Sequence, residues 1–403
     1  MKKFLMSLAV LFVAITALVI PQKVDAATLK RPVITAASRL DDGTVRLAWK
    51  TVKNAEKFYI YRKTPEEEEF VLIGKTKATK LRFLDKTAQA GVTYEYTISA
   101  TKGKDEEFIE SKKSKVLSVV DMGAPVVSAI NYDKWGDNAV KWSKVDNATG
   151  YIVYKSKKKG ELGKKYLTTT DAKVLKCKDT LDELPDTRVY YTVKAYYVNE
   201  DGVTVYSRLS NTRSIKALYR IMGKSRCTAD QLAAYYHMRE RTEKDVMYPA
   251  EYLGPGGAPT VEDFAQIIME ECAAEGVRAE VLFGQAMIET GLLLYRHTSV
   301  SPNSYNFAGM GATGAADADI LGFPDIRTGI RCQVQHLKAY GTKDPLVNPL
   351  VDDRFKYVPR GCAVYVRWLG IPENPIGRGW AASPDYPYGD LIVNNYVKKI
   401  LAM

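Results

Sequence analysis

The chain changes its hydrophobic period once, near Ala217. Before that point apolar and polar positions alternate, as in Val45-Arg-Leu-Ala-Trp and Tyr94-Glu-Tyr-Thr-Ile-Ser-Ala, the period-2 pattern of strands with one buried face. Turn signals at Asp42-Gly43, Glu106-Glu107 and Asp201-Gly202 separate these runs at sandwich-like intervals. After Ala217 the period becomes helical. A helix is predicted over 229–241, led by Thr228, and another after Thr260-Val-Glu-Asp263, which reads as a capping box, running to Glu275. Gly254, Pro255, Gly256, Gly257 and Pro259 punctuate the link between them. Further helix is predicted across 328–340 and 391–401.

The strand-forming half repeats itself. The run from Trp49 to Tyr61 matches that from Trp142 to Tyr154 at an offset of 93, and Tyr96-Thr-Ile-Ser-Ala matches Tyr191-Thr-Val-Lys-Ala at 95. That period is too long for a solenoid unit and implies two copies of a small domain. Each copy resembles a fibronectin type III domain, with its Trp on an early strand. Trp49 and Trp142 are then core residues or, if exposed, sugar platforms.

At 403 residues the chain is too long for one core. The pattern divides it into a leader over 1–26, two sandwiches over 27–120 and 121–218, and a helical domain over 219–403. The leader has Lys2 and Lys3, an apolar run and Val24-Asp-Ala26, which reads as a signal peptide cleaved after Ala26. The apolar run also approaches the length of an uncleaved anchor. No later stretch is long and apolar enough to span a bilayer, so the mature chain is expected to be exported without a stable membrane span.

Charge is uneven. Residues 27–218 carry 36 Lys and Arg against 25 Asp and Glu, a net +11, whereas 219–403 carry 19 against 21, a net −2. A basic front half on an exported chain points to anionic wall polymers or a membrane surface, or to a merely solvated lysine-rich surface, and not to nucleic acid. Cys177, Cys227, Cys272, Cys332 and Cys362 form no Cys-x-x-Cys pair, and His237, His297 and His336 form no cluster. No metal site or cofactor is expected. The last four cysteines allow up to two bridges, or buried free thiols.

The segment Ala279-Glu-Val-Leu-Phe-Gly-Gln-Ala-Met-Ile-Glu-Thr-Gly carries the candidate chemistry. At helical period Leu282, Ala286 and Glu289 share a face with Gln285 beside them. A carboxyl group on an apolar helix face is expected to titrate high, which suits an acid that protonates a leaving oxygen. The glycine-dense Tyr305-Asn-Phe-Ala-Gly-Met-Gly-Ala-Thr-Gly follows, where backbone can approach a ligand closely. Its Gly-x-Gly-x-x-Gly match to the dinucleotide fingerprint is set aside, because a loop and not a strand precedes it.

From about Thr228 onward the chain resembles the bacterial glucosaminidase family, endo-β-N-acetylglucosaminidases of peptidoglycan. Four blocks carry the resemblance in order: the helix ending in Glu289-Thr-Gly; Asn306-Phe-Ala-Gly-Met-Gly; Phe323-Pro-Asp-Ile-Arg followed by Gln335-His-Leu-Lys-Ala-Tyr; and Gly379-Trp-Ala-Ala-Ser-Pro-Asp-Tyr-Pro-Tyr-Gly. The resemblance implies a lysozyme-like α+β fold, a secreted, cell wall associated chain with peptidoglycan glycan strands as partner, and cleavage after N-acetylglucosamine with Glu289 as general acid. It offers Asp325 as a second carboxylate, with Asp317 and Asp319 as weaker candidates, unless the substrate's own acetamido oxygen is the nucleophile. Tyr388 falls at the family's closing Tyr-Gly and is the expected phenol, with Tyr386 in reserve because Pro387 intervenes. Trp380 would stack on a sugar or pack inward. Asn306 and Gly309 would shape the loop or bind an N-acetyl group. A muramidase, a lytic transglycosylase, or a wall-binding protein that has lost its activity stay open as alternatives.

Overall fold

The computed structural model describes residues 29–296, 300–311 and 320–403, so the expected leader and the candidates Asp317 and Asp319 lie outside the described residues. Two compact units are present. Among the described residues, the first takes in those up to Asp121 together with Val198–Ser207, and the second those of Met122–Tyr197 and from Arg208 onward.

The first unit is a sandwich whose strands are mostly antiparallel. One sheet pairs β1 (Ile34–Arg39), β2 (Val45–Trp49) and β5 (Arg82–Asp85), and the other places β3 (Lys57–Lys63) between β4 (Val71–Lys77) and β6 (Tyr94–Lys102). The short β7 (Ile109–Glu110) and β8 (Leu117–Val119) continue on the free side of β6. Alternation does what the sequence implies: Val45, Leu47 and Trp49 turn inward from β2 onto Phe58 and Ile60 of β3. Trp49 meets Phe58 edge to face at 5.4 Å and is a core residue.

The same plan recurs in the second unit. There β9 (Asn131–Tyr132), β10 (Asn138–Lys141) and β13 (Lys176–Asp179) form one sheet. The other runs β12 (Lys164–Thr168), β11 (Gly150–Ser156), β14 (Arg188–Val198) and β16 (Arg213–Lys216). Trp142 is buried against Tyr151 at 5.6 Å. The repeat extends to a buried polar group that the matching blocks do not show. Asp85 accepts from the Tyr96 hydroxyl at 2.8 Å and pairs with Arg62 at 2.8 Å. In the second copy Asp179 accepts from the Tyr191 hydroxyl and pairs with Lys155 at 2.6 Å. β15 (Thr204–Leu209) runs parallel to β1 through Thr204–Tyr206 within the first unit.

The C-terminal region is helical. α1 (Ala229–Thr242) opens on a capping box between Thr228 and Gln231, and α3 (Val261–Glu275) on one between Thr260 and Asp263, ending at left-handed Gly276. Between them lies the single turn α2 (Ala250–Leu253). α4 (Ala279–Glu289) is buried around its circumference as far as Met287, the mark of a central core helix. α5 (Ile326–Gly341) packs on α3 through the Arg327 and Arg331 pairs with Glu271, at 3.0 and 2.8 Å. The end departs from the predicted continuous helix. α6 (Tyr388–Leu391) passes into π geometry over Ile392–Val397 before α7 (Lys398–Ile400), where Ile392 and Tyr396 close on Gly284 of α4. No helix among the described residues is long and apolar enough to cross a membrane. All five cysteines are free thiols, so the bridges allowed by the count do not form.

The second sandwich and the helical region share one unit, and their contacts are specific. Arg278, 1% exposed at the start of α4, donates to Asp182 of the sandwich at 2.6 Å and to the Lys224 carbonyl at 2.9 Å. The Tyr365 hydroxyl donates to the Gly136 carbonyl at 2.6 Å, and Tyr132 meets the Tyr365 ring at 5.1 Å. Gly136 sits at φ +88 with Val364 2.3 Å from where a Cβ would lie, so only glycine fits. Two outcomes follow. Asp182→Ala is expected to cost about 1–3 kcal/mol by leaving a buried guanidinium short of its acceptor, read from urea unfolding of the helical signal. A fragment beginning at residue 122 is expected to unfold cooperatively on heating, whereas one beginning at 219 is expected to lose that cooperative transition.

Candidate active site

Glu289 is the last residue of α4, and the chain beyond it is unusually constrained. Thr290 stops the helix by turning its hydroxyl back to the Ala286 carbonyl at 2.7 Å and accepting from Leu293 N at 2.9 Å. Gly291, Leu292 and Leu293 then adopt left-handed backbone in succession, at φ 58, 64 and 65. Glycine adopts that conformation freely, but each leucine costs about 1 kcal/mol. Burial holds the two leucines there, and the Tyr236 hydroxyl donates to the Leu292 carbonyl at 2.9 Å. Strained backbone of this kind tends to collect beside functional groups.

Two donors from the fourth sequence block converge on the carboxyl. Trp380 Nε1 donates to Glu289 Oε1 at 2.8 Å, and the Tyr388 hydroxyl donates to the same oxygen. Burial raises the Glu289 pKa above the usual glutamate value, and these two hydrogen bonds offset only part of that. Tyr388 is buried and its own pKa is pushed well up, first by burial and then by the neighbouring carboxylate, so the phenol stays protonated and remains a donor. The Gln285 side chain opposes that rise from one turn earlier on α4 and is held by Gln333 Nε2 at 3.0 Å.

The remaining candidates separate by role. Tyr386 is 64% exposed, which leaves Tyr388 as the tyrosine that reaches the carboxyl. Asn306 is buried, and its carboxamide is spent on its own loop. Nδ2 donates to the Met310 and Leu321 carbonyls at 2.9 and 3.0 Å, while Oδ1 accepts from Met310 N at 2.9 Å. It shapes the loop and has no free edge for an N-acetyl group. Gly309 takes φ +62 with no described residue within 4 Å of where a Cβ would lie. Asp325 caps α5, its Oδ1 accepting from Thr328 N at 2.7 Å, so one carboxylate oxygen serves the helix end. Sequence reasoning gave no role to His336 and Asp352, which are paired at 2.7 Å behind Trp380. The spacing of His336 and Tyr340, four residues apart on α5, was the available signal.

No family model matches the chain. An uncharacterized protein of Borreliella burgdorferi is 36% identical over 103 residues, which is 26% of this chain and 50% of that protein, so the chain spans about half the length of this curated relative. Among solved structures, the chicken CNTN1 FN1–FN3 domains match 46% of the chain and 64% of their own at 15% identity and a TM-score of 0.27. The two fibronectin type III domain segment of chicken tenascin matches 47% of the chain and 99% of its own at 17% identity and a TM-score of 0.20. The protein is thus multidomain, with a sheet-rich, fibronectin type III-like N-terminal half and a helical C-terminal region; the strand order described above, and not these scores, carries that statement.

The raised pKa of Glu289 has a signed consequence for stability. The carboxyl ionises near 4.3 in an unfolded chain and at higher pH in the folded one, so folding stability falls as pH rises through that interval. Glu289→Gln cannot ionise. It is expected to melt above the wild type at neutral pH and level with it below about pH 4, in thermal scans across pH.

Proposed function

We propose that the helical region is a glycoside hydrolase that cuts the glycan strand of peptidoglycan, with Glu289 as general acid, and that its fold is lysozyme-like. The observation that carries this reading is the convergence of Trp380 and Tyr388 on one oxygen of a carboxyl whose pKa burial raises above the usual glutamate value. With both donors on Oε1, the proton belongs on Oε2, which is the arrangement an acid needs to serve a leaving oxygen. The block resemblance to glucosaminidases supports N-acetylglucosamine as the residue on the cleaved side. A leader that reads as a signal peptide and a basic front half support export to the wall and attraction to its anionic polymers.

The second half of the reaction is assigned to the substrate's acetamido oxygen, giving retained configuration. Asp325 Oδ1 is used in capping α5, and the Tyr388 hydroxyl donates directly to the acid. Glu289→Gln is expected to lower glycan cleavage at least about a hundredfold, with the fold intact by circular dichroism. Tyr388→Phe is expected to cost more than Asp325→Asn once the latter's stability loss is subtracted. Mass spectrometry of released muropeptides tests the bond: a reducing N-acetylglucosamine end is expected. A reducing muramic acid end would instead mean a muramidase, and an anhydro-muramic end a transglycosylase. On the alkaline side, activity is expected to fall as Glu289 loses its proton, and a rate flat far above neutral pH would remove it as the acid.

A further inference from the structure

The set of contacts that holds Trp380 against Glu289 continues behind the indole. His336 and Tyr340, one turn apart on α5, present their rings to Trp380 at 5.2 and 6.4 Å, both edge to face. They also meet each other at 5.4 Å. The Tyr340 hydroxyl donates to the carbonyl of Gly379, the residue before Trp380, at 3.1 Å. His336 is itself anchored, with Nδ1 lying 2.7 Å from Asp352 Oδ2 and both side chains buried. Asp352 is fixed in turn: its Oδ1 accepts from Arg354 N at 3.0 Å, and its own N–H donates to Gln335 Oε1 at 3.2 Å.

An imidazole held through one nitrogen by a fixed carboxylate has one ring orientation, whereas an unanchored ring can turn about its last bond. The ring orientation matters here because it forms a wall against Trp380. A hydrogen bond weakens steeply once its angle drops below about 120°, so a modest tilt of the indole is enough to lose its bond to Glu289. We propose that the Asp352–His336 pair is a positioning device for the acid, locking the Trp380 indole so that its N–H stays on Glu289 Oε1. The proposal rests on the reading of Glu289 as the acid. His336 and Asp352 are positioning residues and take no part in bond cleavage.

Among the described residues, the groups that bear on His336 are Asp352, Tyr340 and Trp380; the Cys332 thiol, raised by burial and then by Asp352, interacts with the same carboxylate. Among the described residues, those that bear on Glu289 are Tyr388 and Trp380. Losing the Trp380 bond removes an interaction that favours the ionised carboxylate, so Glu289 should titrate higher still.

The test uses the indole N–H signals of the five tryptophans in the isotopically labelled mature chain, followed by NMR across pH. Trp380→Phe identifies the Trp380 signal by its loss, and Glu289→Gln should abolish the pH dependence of that signal. In His336→Gln and in the milder Asp352→Asn, the signal should exchange faster with solvent. Its titration should move up by about half a pH unit or more. A Trp380 signal with unchanged titration and exchange in Asp352→Asn overturns the proposal. Kinetics add a second arm: either variant should lower kcat with little change in KM, and add nothing further in a Trp380→Phe background. Full additivity in that background would mean that the pair supports the fold generally and not the indole. Because the NMR arm needs no turnover, an enzyme inactive on glycans would sink the functional reading while leaving the positioning result to be judged separately.

Discussion

The two hydrogen bonds that Glu289 receives come from Trp380 and Tyr388, 91 and 99 residues further along the chain, and the packing of the helical region is arranged to bring them there. That closeness is a backbone problem before it is a side-chain one. Gly284 lets α4 lie against Ile392 and Tyr396, which an added Cβ would meet at 3.1 and 2.9 Å. Gly379 and Gly389 stand where a Cβ would lie 2.6 Å from the Leu369 carbonyl and 2.0 Å from that of Val366. Each of these glycines trades backbone freedom in the unfolded chain for an approach that no larger residue permits. The carboxyl that results is half-buried and partly desolvated yet not orphaned, the condition under which such an acid is tolerable.

The same logic operates at the other end of α4. Arg278 and Glu280 are both buried in its first turn, an expensive pair to desolvate. Glu280 benefits from the positive end of the helix and accepts from the Tyr219 hydroxyl. Arg278 depends on Asp182, which comes from the second sandwich. The helix that ends in the candidate acid therefore begins on a contact with the second sandwich, across the boundary at 218 that the sequence pattern suggests.

What the sequence makes legible is what local rules govern. The two sandwiches, their core tryptophans, the caps at Thr228 and Thr260 and the position of Glu289 at a helix end all follow from period, spacing and short motifs. The capping role of Asp325 was legible by the same rule, since it precedes a periodic segment with Thr328 three residues on; the family resemblance drew attention to its carboxylate instead. What escaped depends on contacts between distant segments. The choice between Tyr388 and Tyr386 turns on which hydroxyl faces inward across ninety-nine residues of chain. The Asp352–His336 pair joins α5 to an irregular segment without pattern, and the Tyr–Asp–cation group shared by the two sandwiches has its aspartates outside the matching blocks.

The five free thiols carry a consequence of a different kind. Burial raises the pKa of each, Cys177 to about 11, so at neutral pH they are protonated and poor nucleophiles toward oxidants or disulfides. No covalent crosslink contributes to the fold, and its stability is decoupled from the redox potential of its surroundings. A chain built this way needs no thiol oxidase or isomerase to mature. It can reach the same native state in a reducing cytoplasm as in an oxidising exterior.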